Sequence, residues 1–289
     1  MQIERIFYSD CMIQDIHPHR FDNQYKPAAV MTEHDYVFHF RGNTLLLKND
    51  GEKLDIPRKS DLPKLTIGTS SVFLFTLNQT ACFLVWEDPN VEGPLFSYQS
   101  MDVFRIIKEQ EIAWICLAGF HVYTWYSRNN FCGTCGNKTQ HKLDERAMEC
   151  LHCHAIYYPT IAPAAIVAIL SGEHILLVRG RNSTKGRYSL VSGFVEVGET
   201  LEETVAREVK EETGLDVRSI HYYANQPWPL SGSMMVGFIA EADMNQPIVL
   251  DRQELSDAAW FHRNDLPDHS LPLSIAGEMI ERFEKGELK

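Results

Sequence analysis

At 289 residues the chain is longer than one ordinary domain, and an apolar content of 44 % fits a globular protein. A net charge of −12 argues against a long electrostatic grip on nucleic acid, while leaving room for a terminal phosphate that bound metal neutralises. No apolar run approaches the roughly 18 residues of a membrane span; Met1 to Phe7 lack a basic-then-apolar signal and Glu287 to Lys289 is no peroxisomal address, so a cytoplasmic, non-membrane protein is expected.

Residues 1–126 are expected to form an α+β domain without a catalytic motif. Phe38 to Lys48 leads into Asn49-Asp-Gly, a hairpin signal. Val72 to Leu77, the turn Asn78-Gln-Thr and Ala81 to Trp86 read as a second hairpin, and the pattern becomes helical from about Gln110 to Arg128. Residues 127–157 hold Cys132, Cys135, Cys150 and Cys153, two Cys-x2-Cys knuckles fourteen residues apart. Two such knuckles bring four thiolates to one tetrahedral point, as zinc requires. Gly133 and Gly136 give the tight knuckle backbone. The alternatives are two disulfides or a redox pair; without an export signal, one structural zinc per chain is expected. All four positions are filled by protein, and so short a ribbon needs metal to fold. His152 and His154 are bystanders. Cys11, Cys82 and Cys116 are read as reduced packing residues.

Residues 158–289 open with Ala165 to Leu170, a Ser-Gly turn and Ile175 to Val178, a strand pair. Further strands are expected near His221 to Tyr223 and Met234 to Ala240, with a final helix from about Leu273. Between them, residues 193–215 gather seven glutamates around one arginine. Thr200 followed by Glu203 is a capping box, and Gly214 suits a left-handed cap, so a helix is expected from about Leu201 to Thr213. At roughly 100° per residue, Leu201, Val205, Val209, Glu208 and Glu212 share one stripe, while Glu203, Arg207 and Lys210 point away. Carboxylates four apart repel, and more so near a core, unless a hard divalent cation such as magnesium binds them. The plain alternative is an amphipathic helix with an acidic solvent face.

The order G-x5-E-x7-R-E-V-x-E-E-x-G-L, carried by Gly193, Glu199, Arg207, Glu208, Val209, Glu211, Glu212, Gly214 and Leu215, matches the Nudix box at every fixed position. The chain thus resembles the Nudix hydrolases, which implies an α/β/α sandwich with a mixed sheet and cleavage of a nucleoside-linked diphosphate using magnesium or manganese. Glu208 and Glu212 are then metal ligands, Glu211 a further ligand or water-activating group, and Glu199–Arg207 an orienting pair. Spacing does not assign the base among the glutamates; Glu212 is favoured. The four-cysteine ribbon before the box, and Asn225-Gln-Pro-Trp-Pro-Leu-Ser-Gly-Ser after it, resemble the NADH pyrophosphatase family, which includes enzymes that remove NAD caps from RNA. By itself the latter segment reads as a core tryptophan in a proline-rich turn. It departs from the family's S-Q-P-W-P-F-P-x-S at Asn225, Leu230 and Ser231, which bears on substrate preference and not on the reaction.

That resemblance implies a metal set of Glu208, Glu212 and Glu254, with the Ser192 carbonyl. Gln226, Pro227, Trp228, Pro229, Leu230, Ser231, Gly232 and Ser233 would line the nucleotide site. Tyr158 and Phe194 are candidates to sandwich a base, Glu145 and Ala276 are further substrate contacts, and a homodimer is implied. The expected reaction is hydrolysis of NAD(H) to AMP and nicotinamide mononucleotide. The alternatives are removal of NAD caps from RNA and a non-catalytic nucleotide-sensing module.

Overall fold

The computed structural model describes residues 12–65, 71–91, 93–181, 186–270 and 273–288; Cys11 lies outside them. The described chain divides into two compact units, one built on 13–160 with 229–231 and one on 161–228 and 232–289. Among the described residues no helix is long and apolar enough to cross a membrane.

The first unit contains two small sheets. Strands β1 (Phe21–Asp22), β2 (Tyr36–Phe38), β3 (Phe40–Arg41), β4 (Thr44–Asn49), β5 (Leu54–Asp55), β6 (Ser71–Leu77), β7 (Thr80–Val85) and β8 (Phe96–Ser100) precede helix α1 (Gln110–Arg128). One sheet runs β1-β6-β7-β2, with β2 parallel to β7; the other joins β3, β4 and β5, with β8 on β4. The β6–β7 hairpin turns through Asn78 and Gln79, both at positive φ, as a two-residue hairpin loop demands. The hairpin expected at Asn49-Asp-Gly joins β4 to β5, and a further reversal at Gly42 (φ 55°) doubles β3 back onto β4. Helix α1 packs closely on this core: a Cβ at Gly119 would sit 2.7 Å from the Phe38 ring. Cys82 and Cys116 are buried, reduced packing residues. Three short strands follow, β9 (Gln140–His141), β10 (Met148–Glu149) and β11 (Ile156–Tyr157), forming an antiparallel sheet around the cysteine knuckles.

The second unit is built on one mixed sheet. Its strands are β12 (Ala162–Ser171), β13 (His174–Gly180), β14 (Val191–Phe194), β15 (Arg218–Trp228), β16 (Ser233–Glu241) and β17 (Leu255–His262), with helices α2 (Leu201–Thr213) and α3 (Ile275–Glu284). The order is β15-β16-β12-β13-β17, with β14 also on β12; β12 and β16 run parallel and the rest antiparallel. Strand β12 is apolar throughout because both its faces are covered. Ala165, Val167 and Ile169 meet Val205, Val209 and Leu215 of the α2 layer, while Ile166, Ala168 and Leu170 meet Ile275, Met279, Ile280 and Phe283 of α3. The result is the expected α/β/α sandwich. Strand β17 was not legible in the sequence, where Leu255 to His262 carries neither clean alternation nor a turn signal ahead of it.

Candidate active site

Helix α2 starts where its capping box dictates. The Thr200 hydroxyl accepts from the Glu203 amide (3.2 Å), and the Glu203 carboxylate accepts from the Thr200 amide (2.8 Å). It ends at Gly214, whose φ of 75° is costly for any residue with a Cβ. The stripe assigned to the core is Val205, Val209 and Glu212, all buried, with Leu201 and Glu208 partly so.

Arg207 does not point away from the site as helical phase suggests. Its guanidinium folds back across the start of the helix: Nε donates to Glu199 Oε1 (2.5 Å), and one terminal nitrogen to Glu199 Oε2 (2.9 Å) and the Phe194 carbonyl (3.0 Å). The other terminal nitrogen reaches Glu208 (2.7 Å) and Glu211 (3.0 Å). Phase fixes only where Cβ leaves the helix; a long side chain with five fixed donors turns toward three carboxylates. Glu199 also accepts from the Glu196 amide and the Thr204 hydroxyl. The Arg207 guanidinium, reinforced by these donors, holds the Glu199 carboxyl at about 2.

Glu208 passes over Gly193 on β14. A Cβ at Gly193 would lie 1.9 Å from the Glu208 carboxyl carbon and 2.0 Å from Oε1, so only glycine leaves this cradle open. Register places Gly193 against Ala165, and Ser192 against Ile166, in the centre of the sheet. Glu212 is 6 % exposed, and no donor among the described residues reaches its carboxylate. Burial, then the charges of Glu208, Glu254, Asp251 and Glu211, push it up to about 8. The last carbonyls of α2 hold the chain that brings two of those acids. The Asp251 amide donates to the Glu212 carbonyl (3.0 Å) and the Val249 amide to that of Thr213 (2.8 Å). Asp251 was not singled out from the sequence; the signal was its place three residues before Glu254 in one acidic turn.

Among the described residues no three of these carboxylates have oxygens within 4.8 Å of one another. The donor set nonetheless fits a hard divalent cation: an orphaned buried carboxylate, its i−4 neighbour in a cradle that a methyl would fill, and Glu254 nearby.

The cysteines are gathered. The four sulfurs lie within 4.8 Å of one another, with Cys132–Cys153 and Cys135–Cys150 both at 3.5 Å. Disulfide sulfurs sit about 2.05 Å apart, so the thiols are unpaired; zinc–sulfur bonds of about 2.3 Å set tetrahedral sulfur separations near 3.8 Å. The two knuckles repeat one backbone: Cys132 N donates to the Asn137 carbonyl and Gly136 N to that of Cys132, as Cys150 N does to Ala155 and His154 N to Cys150. The Tyr157 hydroxyl lowers the Cys132 thiol and the Asn137 side chain lowers that of Cys135, while the neighbouring sulfurs raise that of Cys153, so four thiolates this close need a cation between them. Both histidines lie outside the cluster.

The remaining candidates are dispersed. Tyr158, 55 % exposed, donates to Glu145 (3.1 Å), and both belong to the first unit. Phe194, 53 % exposed, belongs to the second. The segment from Asn225 is not one loop: Asn225 to Trp228 ends β15, Pro229 to Gly232 form the turn, and Ser233 begins β16. Gln226, expected to line the nucleotide site, has its amide engaged within the fold. It is 0 % exposed, donating to the Leu273 carbonyl (3.0 Å) and accepting from the Ile275 amide (2.7 Å), so it fixes the start of α3. Ser233 is likewise buried, and Ala276 packs into the core cluster with the rest of α3. For Gln226 the cause lies at a distance: proline-rich sequence signals a turn, but this amide is taken up by the start of α3, some fifty residues on.

Comparison with known proteins follows this division. Residues 160–283 match the model of the Nudix domain, 127–158 the NADH pyrophosphatase zinc ribbon domain, and 34–125 an NADH pyrophosphatase-like rudimentary Nudix domain. Similar curated proteins are named NAD-capped RNA hydrolase NudC. That of Photorhabdus laumondii is 44 % identical over 163 residues, covering 56 % of this chain and 63 % of the relative, somewhat under two thirds of its length. Those of Citrobacter koseri and Salmonella typhimurium are 42 % and 43 % identical over 183 residues, covering 63 % of this chain and 71 % of the relative. Identity of 42–43 % to relatives covered over 71 % of their length, together with the matched zinc ribbon and Nudix domain, means that the chain belongs to the NADH pyrophosphatase family of Nudix hydrolases.

Proposed function

We propose that the protein hydrolyses the central diphosphate of NAD(H) to AMP and nicotinamide mononucleotide, and that an NAD cap on an RNA 5′ end is a second form of the same substrate. The observation that carries this reading is Glu212: a carboxyl group 6 % exposed, with no donor on it among the described residues and the charges of four other acids acting on it, must either keep its proton or be met by a cation, and a cation is what the reaction requires. Magnesium or manganese held by Glu208, Glu212 and Glu254, with the Ser192 carbonyl, would neutralise the diphosphate and polarise its phosphorus–oxygen bonds. The chain's own part is positional. Arg207 and Glu199 fix the turn ahead of α2, Gly193 leaves Glu208 its path, and the α2 carbonyls set Asp251 and Glu254 opposite. Glu212 is the favoured acceptor of the proton that the attacking water loses, with Glu211 and Glu208 as the alternatives.

Phe194 and Tyr158 are the proposed stacking rings, and the turn from Pro229 to Gly232 a proposed wall of the nucleotide site. Gln226, Pro227, Trp228 and Ser233 support that wall from within, and Glu145 and Ala276 complete it, Ala276 through its backbone. A cytoplasmic homodimer is part of the proposal, as the family resemblance implies. The names of the relatives favour the RNA form.

The test is product analysis of NADH and an NAD-capped oligonucleotide with magnesium or manganese, for the wild type and Glu212→Gln. AMP or a 5′-monophosphate RNA is expected from the wild type alone. Unchanged turnover by Glu212→Gln would remove the assignment, and NAD binding without AMP release would favour a sensor.

A further inference from the structure

Within the first unit, the lining of a cavity of about 380 Å³ includes the rings of Tyr25, Phe73 and Trp86 and the polar residues Ser71, His141 and Lys142. Its size is that of a small-ligand site, and its mixture of ring faces with a few polar groups is the usual composition of one. Charge decides what kind of ligand fits. Lys142 is already neutralised by Asp144 (2.6 Å) and Glu145 (3.1 Å), and Lys26 by Asp22 (3.4 Å). A phosphate would have to displace those carboxylates, so the cavity does not select an anion. The rings are not equally available either. The Arg146 guanidinium lies 5.5 Å from the Tyr25 centroid, and the Lys26 ammonium 5.9 Å from that of Phe73. Trp86 is the ring left open, 39 % exposed and touched at a tilt by Tyr123 (5.7 Å).

We propose that this cavity is a second nucleotide-binding site, which takes a neutral nucleobase by stacking on Trp86 and hydrogen-bonding to Ser71, His141 and Lys142. A wholly apolar ligand would leave those polar groups unmatched, whereas a base offers both a ring face and a polar edge. None of the six residues belongs to the metal or substrate set described above. The base has two possible sources: a nucleotide within the strand of a capped RNA, or a free mononucleotide. Only the first source rests on the function proposed above.

The test uses the full-length protein without added divalent cation, so that no probe is turned over. Binding of AMP and of an uncapped single-stranded decamer of adenylate is measured for the wild type, Trp86→Ala and Trp86→Phe. Trp86→Ala is expected to weaken binding about tenfold or more, as loss of one stacking platform does, and Trp86→Phe to retain most of it. Dependence on Trp86 for the decamer alone identifies RNA as the source, and equal dependence for AMP identifies a mononucleotide. Both variants should melt as the wild type does and keep its kcat/KM on NADH, which reads the catalytic site separately. Binding of both probes unaltered by Trp86→Ala, or absent from the wild type, overturns the site.

Discussion

Gly193→Ala separates the placement of Glu208 from the stability of the fold. The added methyl would fall 1.9–2.4 Å from all three atoms of the Glu208 carboxyl group, well inside van der Waals contact. What it meets is the end of a flexible side chain, not backbone or core. Glu208 can swing aside by breaking its bond to Arg207, which keeps Glu199 and Glu211 as partners. The loss of stability should therefore be about 1 kcal/mol or less, the low end of overpacking costs. Catalysis has no such escape. A ligand carboxylate displaced by an ångström or more costs on the order of a hundredfold in rate, so kcat should fall about that far, with a rise in the magnesium concentration needed for half-maximal rate. NADH hydrolysis across a magnesium titration, paired with denaturant melts, measures both quantities. Wild-type rate and magnesium dependence in Gly193→Ala would show that Glu208 is no metal ligand; a large loss of stability would show that the cradle is structural.

The other predictions concern charge and zinc. Glu199 is held near 2 against an ordinary value of 4.5, so its contribution to stability is present above 4.5 and lost as pH falls toward 2; Glu199→Gln should flatten that acid limb in denaturant midpoints. An unchanged acid limb would mean that the Arg207 pair does not stabilise the fold. Glu212 shifts the other way: raised to about 8, its protonated form favours folding below 4.5, and that stability is lost as pH rises to 8. In protein dialysed free of magnesium, Glu212→Gln should be more stable than the wild type by a gap that widens from pH 5 to 8, to a few kcal/mol, while NADH turnover is abolished. A gap that does not vary with pH would refute the buried-carboxylate argument. Cys150→Ser should lower zinc from one equivalent per chain and unfold the ribbon, read by metal analysis and by protease cutting within 127–157; full zinc retention would refute the four-thiolate site.

Much of this was written locally in the chain. The limits of α2 coincide with the helix expected from Thr200, Glu203 and Gly214, because caps act over three or four residues and so can be read directly from sequence. The apolar runs of β12 and β13 and the turn at Asn78-Gln79 are of the same kind. What sequence did not show depends on contacts made at a distance. Arg207 turns inward because Glu199 lies eight residues back across a loop. Gln226 is consumed by the start of α3, and β17 exists through pairing with β13 and not through its own pattern. The acidic cluster is divided in the same way: spacing showed Glu208 and Glu212, but the closeness of Asp251 follows from main-chain bonds to α2.

Those bonds bear on how the family can vary. Carbonyls at a helix C-terminus always lack intrahelical partners, and here two of them, Glu212 and Thr213, are taken up by the amides of Asp251 and Val249. The segment carrying Glu254 is thus registered by peptide groups that any residue but proline supplies. Those two bonds constrain the length of the chain more tightly than the identity of its side chains. One residue inserted between Val249 and Glu254 would carry Glu254 out of register with the helix, whereas insertions among residues 243–246, a polar turn on the far side of those two bonds, would leave it in place. Length polymorphism among relatives should accordingly end abruptly at position 249.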